Sequence, residues 1–122
     1  MSAKLSIITI TYQAEQYLER TIQSILVQGN RTDIEYIIID GASKDGTLGI
    51  IEHYREHINS FISEPDRGIY DAMNKGLAKA SGEYVVFMNA GDEFASKDTL
   101  TTMLHHLSKN PGVLYGDANF VD

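Results

Sequence analysis

The chain has 122 residues, of which 43% are hydrophobic, and its 10 basic and 17 acidic residues give a formal net charge of -7. This length and apolar content suit one globular domain with its own core. The negative charge argues against a nucleic-acid partner, and it means that a phosphate ligand would need a cation or oriented backbone N–H groups. Because the chain has no cysteine, disulfides and thiolate metal sites are excluded.

The apolar runs of the sequence are the length of strands. None approaches the roughly 20 apolar residues that cross a bilayer. Met1 to Leu5 lead straight into a strand-like pattern, without the basic region and apolar core of a signal peptide. The sequence therefore predicts a cytoplasmic domain.

The predicted elements alternate between strands and helices along the chain. Apolar, β-branched runs predict strands at residues 5–11, 36–39, 58–63, 84–88 and 113–115. Helical spacing predicts helices over 14–28, over 69–80, and over 97–109 with Ser96 as the cap. Residues 43–47 are predicted to form a turn, in which Ser43 or Asp45 caps a further helix that runs through Tyr54. This alternation predicts an α/β fold, a three-layer α/β/α sandwich with a mostly parallel sheet.

Ligands of such sheets bind at the carboxyl ends of the strands, which directs attention to the residues where each strand ends. Thr11 and Tyr12 end the first strand and place a hydroxyl and an aromatic ring at this edge. The ring can stack on a nucleobase. The alternative is a polar loop in which Tyr12 is tucked over the end of the sheet.

Asp40 ends the second strand and is followed by Gly41. A half-buried carboxylate needs hydrogen bonds, which uracil or ribose can donate. Equally, an Asp in this position can tie down the following turn. A calcium loop over 41–52 is excluded, because Gly41 occupies its first ligand position and a strand precedes it.

The fourth strand leads into the acidic loop 89–93. Acids delivered to the carboxyl edge suit a hard divalent cation that bridges two phosphates. Such a cation would also stabilise a departing nucleotide diphosphate. The alternative is an acidic turn before a helix.

Four segments, in this order and spacing, resemble the family 2 glycosyltransferases over essentially the whole chain. They are S-I-I-T-I-T-Y-Q at 6–13, with a helix that closes on S-I-L-V-Q at 24–28; I-I-D-G-A-S-K-D-G-T at 38–47; E-P-D-R-G-I-Y-D-A-M-N-K-G-L-A-K-A-S-G-E-Y at 64–84; and F-M-N-A-G-D-E-F at 87–94. The resemblance implies a GT-A fold. It also implies transfer of a hexose-type sugar, with inversion, from a nucleotide-diphosphate donor that we expect to be UDP-linked.

The resemblance also implies roles for individual residues and partners. Tyr12 packs on the base, and Asp40 is one of the acids that hold base and ribose. Asp92 coordinates a divalent metal, Mn or Mg. The other expected nucleotide-binding residues are Thr11, Gly68, Asn74 and Asn89. The expected acceptor is a saccharide or a lipid-linked saccharide in surface polysaccharide biosynthesis. Peripheral membrane association is an expectation for the full-length protein, and self-association is expected from an apolar edge that the absent acceptor half would otherwise cover.

The sequence departs from the family pattern in two places. Gly41 stands where the family often has a second acid after the second strand. Asn89-Ala90-Gly91 replaces the family's Asp-x-Asp signature, which leaves Asp92 as the only acid that aligns with this acidic motif. The family carries its general base and most of its acceptor site further along than Asp122. We therefore expect residues 1–122 to be the nucleotide-sugar-binding part, without the acceptor half and inactive alone.

Two other functions compete with this interpretation. The first is a non-catalytic nucleotide-binding module, which the reduced acidic signature and the lack of a candidate base would suit. The second is a nucleotidyltransferase, which would require a basic, glycine-rich phosphate loop near the first strand. This sequence has no such loop there.

Overall fold

The computed structural model describes residues 5–28, 32–94 and 96–102. Strands and helices alternate along them. The strands are β1 (Leu5–Thr11), β2 (Ile34–Asp40), β3 (Ser60–Ser63) and β4 (Tyr84–Phe87). The helices are α1 (Leu18–Leu26), α2 (Thr47–His53), which a 3-10 turn at Arg55–His57 follows, and α3 (Ile69–Lys79). Residues 99–102 are helical as well.

The four strands form one parallel sheet in the order β3-β2-β1-β4. β1 pairs with β2 along its whole length, from Leu5 opposite Ile34 to Thr11 opposite Asp40. β3 extends the same register, with Ser63 opposite Asp40. The carboxyl ends of three neighbouring strands therefore meet at one edge of the sheet, as the sequence predicts.

Helices cover both faces of this sheet. On one face, apolar residues of β1, β2 and β4 pack against α1, α2 and Leu100. The buried residues of this layer include Ile7, Leu18, Ile22, Ile25, Ile38, Ile51 and Val86. On the other face, Ala72 of α3 packs with Ile8, Ile37, Ile39, Val85 and Phe87. The predicted three-layer α/β/α sandwich is confirmed.

The first helix is shorter than its apolar spacing predicts. The pattern predicts a start at residue 14, whereas α1 begins at Leu18. The N–H groups of Tyr17 and Leu18 both donate to the carbonyl of Ala14, so residues 14–17 form turns instead. The N–H of Ala14 itself donates to the Thr47 hydroxyl at 2.9 Å, which fixes this segment against the start of α2.

The last predicted elements are described only in part. Ser96, the predicted cap, accepts a hydrogen bond from the N–H of Asp98 at 3.2 Å. The remainder of the helix predicted over 97–109 and the strand predicted at 113–115 lie outside the described residues. Among the residues that are described, no helix has the length and apolar content needed to span a membrane.

A buried glycine sets the distance between α3 and the sheet. A Cβ atom on Gly76 would lie 2.6 Å from Cγ2 of Ile8 and 3.5 Å from Cγ1 of Ile39. Both isoleucines are buried in the core. Glycine therefore lets the helix backbone come closer to β1 and β2 than any side chain would allow.

We expect Gly76→Ala to destabilise the domain by about 1–3 kcal/mol, since overpacking outweighs the gain in helix propensity. Urea unfolding monitored by circular dichroism measures this. Gly49→Ala in α2 is the matched control, because a Cβ there meets nothing within 4 Å. The control should be as stable as the parent or slightly more so. Equal stability of the two variants would contradict the close packing of α3.

Candidate functional site

A cavity of about 300 Å³ opens beside the carboxyl end of β1. It is lined by Ile10, Thr11, Tyr12, Asp66, Gly68, Ile69 and Ala72. Three of the predicted nucleotide-binding residues therefore line one cavity, where Thr11 and Tyr12 meet Gly68, which is more than 50 residues away in sequence. The cavity lies where ligands bind in open parallel sheets.

Tyr12 presents its ring at the cavity. Its side chain is 64% exposed, so the ring is accessible for stacking and is not tucked under neighbouring residues. Thr11 beside it is buried, and its Oγ1 atom has no hydrogen-bond partner within the described part of the chain. Buried hydroxyls are normally paired, so this atom marks a place where a ligand or water donor or acceptor would fit.

Two hydroxyls of the β2–α2 loop fix the backbone that follows Tyr12. Ser43 Oγ accepts the N–H of Gln13 at 2.8 Å, and Thr47 Oγ1 accepts that of Ala14 at 2.9 Å. Gln13 has a φ of 51°, in the left-handed region that non-glycine residues seldom adopt. The bond from Ser43 therefore holds a turn that the sequence alone would not favour.

Asp40 lies at the end of β2, as predicted, and its carboxylate is fully buried. Its Oδ2 accepts the N–H of Ser43 and the hydroxyl of Ser63, each at 2.8 Å, and Oδ1 accepts the hydroxyl of Ser43 at 2.6 Å. This geometry favours the second of the two roles open to Asp40, that of tying down the turn.

A second acid in the same loop acts in a similar way. Asp45 accepts the hydroxyl and the N–H of Thr47. The Thr47 hydroxyl holds the pKa of the Asp45 carboxyl below its ordinary value. Since Thr47 in turn receives the N–H of Ala14, this acid also supports the loop that carries Tyr12.

Asp66, which the sequence analysis does not single out, is the acid that faces the cavity. It is half-buried, and its Oδ1 accepts the N–H of Gly68 at 3.2 Å. A signal for it exists in the sequence: Asp66 follows the end of β3 by three residues, and β3 ends at the same edge. The rule that directs attention to Thr11, Asp40 and Asp92 at the strand ends therefore applies to the loop after β3 as well.

The loop that carries Asp66 is anchored on α3. The Lys75 ammonium donates to the carbonyl of Pro65 at 2.9 Å and pairs with Glu64 at 3.2 Å. Burial would lower the pKa of Lys75, but the hydrogen bond with Glu64 and the charge of Asp71 outweigh it and raise that pKa. Asp71 also accepts the N–H of Arg67 at 2.9 Å, which lowers the pKa of Asp71.

Asn74 lies on α3 in a neighbouring groove of about 480 Å³, whose lining also includes Ile69, Tyr70, Met73 and Leu77. Ile69 borders both this groove and the cavity at Tyr12. The structure thus places Asn74 next to the predicted nucleotide-binding residues without putting it among them.

Asn89 and Asp92 close a short turn after β4. The N–H of Asn89 donates to Asp92 Oδ2 at 3.0 Å, and the N–H of Asp92 donates to the Asn89 carbonyl at 2.8 Å. Two hydroxyls of α1 hold the loop: Thr21 accepts the N–H of Gly91, and Ser24 accepts that of Phe94, each at 2.8 Å. Neither α1 contact is visible in the local sequence pattern.

Oxygen atoms with suitable chemistry for a divalent cation are present in this turn. The Oδ1 atom of Asn89 is buried and has no hydrogen-bond partner among the residues described. With the Asp92 carboxylate it offers two hard oxygen donors, which suit Mg²⁺ or Mn²⁺ when phosphates supply further ligands. Across residues 5–28, 32–94 and 96–102, no group of three or more acidic, histidine or cysteine side chains could hold a metal. These residues fit a cation only as partners of a phosphate ligand.

The sequence has many relatives among glycosyltransferases. TuaG of Bacillus subtilis, a putative teichuronic acid biosynthesis glycosyltransferase, is 37% identical over 106 residues, which cover 84% of this chain and 41% of the relative. TarS of Staphylococcus aureus, a poly(ribitol-phosphate) beta-N-acetylglucosaminyltransferase, is 34% identical over 101 residues, which cover 80% of this chain and 18% of the relative. The chain spans about two fifths, or less, of the length of these relatives.

The solved structures that match this chain are also glycosyltransferases. TarS 1–349 from S. aureus, in complex with UDP-GlcNAc, matches with a TM-score of 0.78 at 30% identity, over 87% of this chain and 31% of that one. The mannosyltransferase PcManGT from Pyrobaculum calidifontis, in complex with GDP-Man and Mn2+, matches with a TM-score of 0.80 at 27% identity, over 91% of this chain and 34% of that one. These likenesses confirm the expected GT-A fold.

The family comparison covers nearly the whole sequence. The model described as "Glycosyl transferase family 2" matches residues 6–120, which include all four segments on which the resemblance depends. The matched range also takes in every predicted site residue, from Thr11 to Asp92. The chain belongs to the glycosyl transferase family 2.

Proposed function

We propose that this chain forms the donor-binding part of an inverting glycosyltransferase that takes a hexose-type sugar from a UDP-linked donor. The proposed acceptor is a saccharide or a lipid-linked saccharide of a surface polysaccharide. TarS is solved with UDP-GlcNAc, and both TarS and TuaG bear names that refer to surface polymers. These relatives support the proposal for the donor and the acceptor class.

The cavity at the end of β1 is the observation that carries this proposal. It brings an exposed aromatic ring, a buried unpaired hydroxyl and a glycine backbone to one sheet edge. We assign Tyr12 to stacking on the base, with Thr11 beside it. Gly68 has a φ of 117°, which residues with side chains rarely adopt. A Cβ atom there would meet nothing within 4 Å, so the backbone of Gly68 borders open space in the cavity.

The remaining residues take more indirect parts in this proposal. Asn74 extends the donor site along α3, in the groove that Ile69 shares with the cavity. Asp40 acts by holding Ser43 and therefore the turn after Tyr12. Asn89 and Asp92 would hold a divalent cation together with the donor diphosphate. When bound, that cation would neutralise the charge that develops on the departing diphosphate.

The acid–base chemistry of transfer is proposed to require further residues. An inverting transfer needs a base that removes the proton of the acceptor hydroxyl. We assign this catalytic base to none of the residues around the cavity. Asp40 is hydrogen-bonded within the fold, and Asp66 borders the space beside Tyr12, where the nucleobase is proposed to bind. A non-catalytic nucleotide-binding module would share the donor site and differ only in this step.

We expect Tyr12→Ala to weaken UDP binding by about 5- to 150-fold, since stacking on an aromatic ring contributes roughly 1–3 kcal/mol per base. Isothermal titration calorimetry measures the affinity. Tyr17→Ala is the control: Tyr17 is 56% exposed on the same loop but lines a different hollow, with Gln13, Glu15, Gln16 and Asp45. Equal affinities of the two variants would contradict the stacking role.

We expect the chain to bind UDP more tightly with Mn²⁺ present than with a chelator present. Asp92→Asn should remove most of this difference in affinity. The reason is that Asp92 supplies the carboxylate of the proposed cation site. Glu93→Gln removes one charge from the same loop and is the control, because Glu93 faces Arg20 at 3.9 Å. A metal effect that both variants retain in full would refute the assignment of Asp92.

We expect the 122-residue chain to bind UDP and UDP-sugars but to transfer no sugar. A positioned base contributes a factor of about 10² to 10⁴, and holding the acceptor in line contributes roughly 7–11 kcal/mol. The assay follows UDP release from UDP-GlcNAc with candidate saccharide acceptors, against a buffer control. Acceptor-dependent release at about 1 s⁻¹ or faster would show that the base lies within these residues.

A further inference from the structure

We infer that Asp66 reads the edge of the nucleobase and selects bases that present an N–H there, a role that rests on the proposed function of this cavity. The carboxylate would accept a hydrogen bond from the ring N–H of uracil or guanine. Cytosine and adenine present an unprotonated ring nitrogen at the equivalent position, which a carboxylate repels. Asp66 is thus a specificity-determining residue of the donor site.

The position of Asp66 beside the stacking ring is the first observation. A Cβ atom on Gly41 would lie 2.8 Å from Asp66 Oδ2 and 3.3 Å from Tyr12 Cδ1. Asp66 Oδ2 and the edge of the Tyr12 ring therefore border the same space above Gly41, and both side chains line the same cavity. A base that stacks on Tyr12 would present its own edge to this carboxylate.

The hydrogen-bonding state of the two neighbouring acids is the second observation. Both carboxylate oxygens of Asp40 accept hydrogen bonds from serines within the fold, and the side chain is fully buried. Asp66 uses Oδ1 for the N–H of Gly68, but no donor in the described part of the chain reaches its Oδ2. Of these two acids, only Asp66 has an oxygen available to a ligand.

The glycine at position 41 explains how Asp66 reaches this place. Any residue other than glycine at this position would place its Cβ atom about 2.8 Å from Asp66 Oδ2. The β3–α3 loop therefore supplies a carboxylate to the space that the missing side chain leaves. The contacts of Lys75 with Glu64 and Pro65 hold that loop in place, so the carboxylate is positioned before a ligand binds.

The central experiment compares the affinities for UDP and CDP by calorimetry in the parent chain and in Asp66→Asn. We expect the parent to prefer UDP by about tenfold or more, as a hydrogen bond to a charged acceptor would give. The asparagine amide can donate to cytosine, so the UDP-to-CDP ratio should fall by about tenfold. Thermal unfolding of both proteins checks that the variant is folded.

Two ligand analogues identify the group that Asp66 contacts. The diphosphate of N3-methyluridine lacks the ring N–H and should bind the parent about tenfold or more weakly than UDP, with a much smaller difference in Asp66→Asn. The 2′-deoxy analogue of UDP should bind more weakly than UDP by the same factor in both proteins. If removal of the 2′-hydroxyl weakens binding to the parent but not to Asp66→Asn, Asp66 contacts the ribose instead of the base. That result would overturn the inference.

Gly41→Ala tests the same arrangement from the other side. The added methyl group should displace the Asp66 carboxylate and lower the ratio of the affinity for UDP to that for CDP. Gly49→Ala is the control and should leave this ratio unchanged, because its methyl group meets nothing within 4 Å. An unchanged ratio in Asp66→Asn, with UDP still bound, would overturn the role of Asp66 alone. If the parent chain binds neither UDP nor GDP, the proposed function fails together with it.

Discussion

The buried carboxylate of Asp40 is the interaction on which this edge of the sheet depends. A carboxylate without hydrogen bonds is costly to bury, so its three donors must stay in place whenever the domain is folded. Those donors come from Ser43 and Ser63, which lie beyond β2 and at the end of β3. Because Ser43 Oγ also accepts the N–H of Gln13, the ends of three strands are joined through a single acid.

This arrangement separates residues that hold the site from residues that can face a ligand. Asp40, Ser43, Asp45 and Thr47 direct their polar atoms at one another or at the turn after β1. The side chains that line the cavity come from the turn itself and from the loop before α3. Much of the polar motif at 38–47 is therefore structural, and in the proposed donor site it would act by fixing the turn that follows Tyr12.

The sequence predicts strand ends well, because buried parallel strands show as β-branched apolar runs, and β1 has the same bounds in prediction and structure. It predicts poorly which polar groups turn inward there. Asp40 and Asp66 are both acids near strand ends, yet one is buried and fully bonded while the other borders the cavity. That difference depends on Ser63 and Gly41, contacts that only the assembled sheet brings together. The contact of the Ala14 N–H with Thr47, 33 residues away, is likewise made only in the folded chain.

The two places where the family's acids are missing are compensated in different ways. At Gly41, a carboxylate reaches the empty space from another loop. In the turn after β4, the buried amide oxygen of Asn89 stands where the signature would have an acid, and it is neutral. A chain of net charge -7 already repels a diphosphate, and removing a carboxylate beside the phosphates lowers that repulsion. Fewer acids also bind a cation more weakly, so the cation would be held jointly by protein and donor, and its affinity would depend on the nucleotide being present.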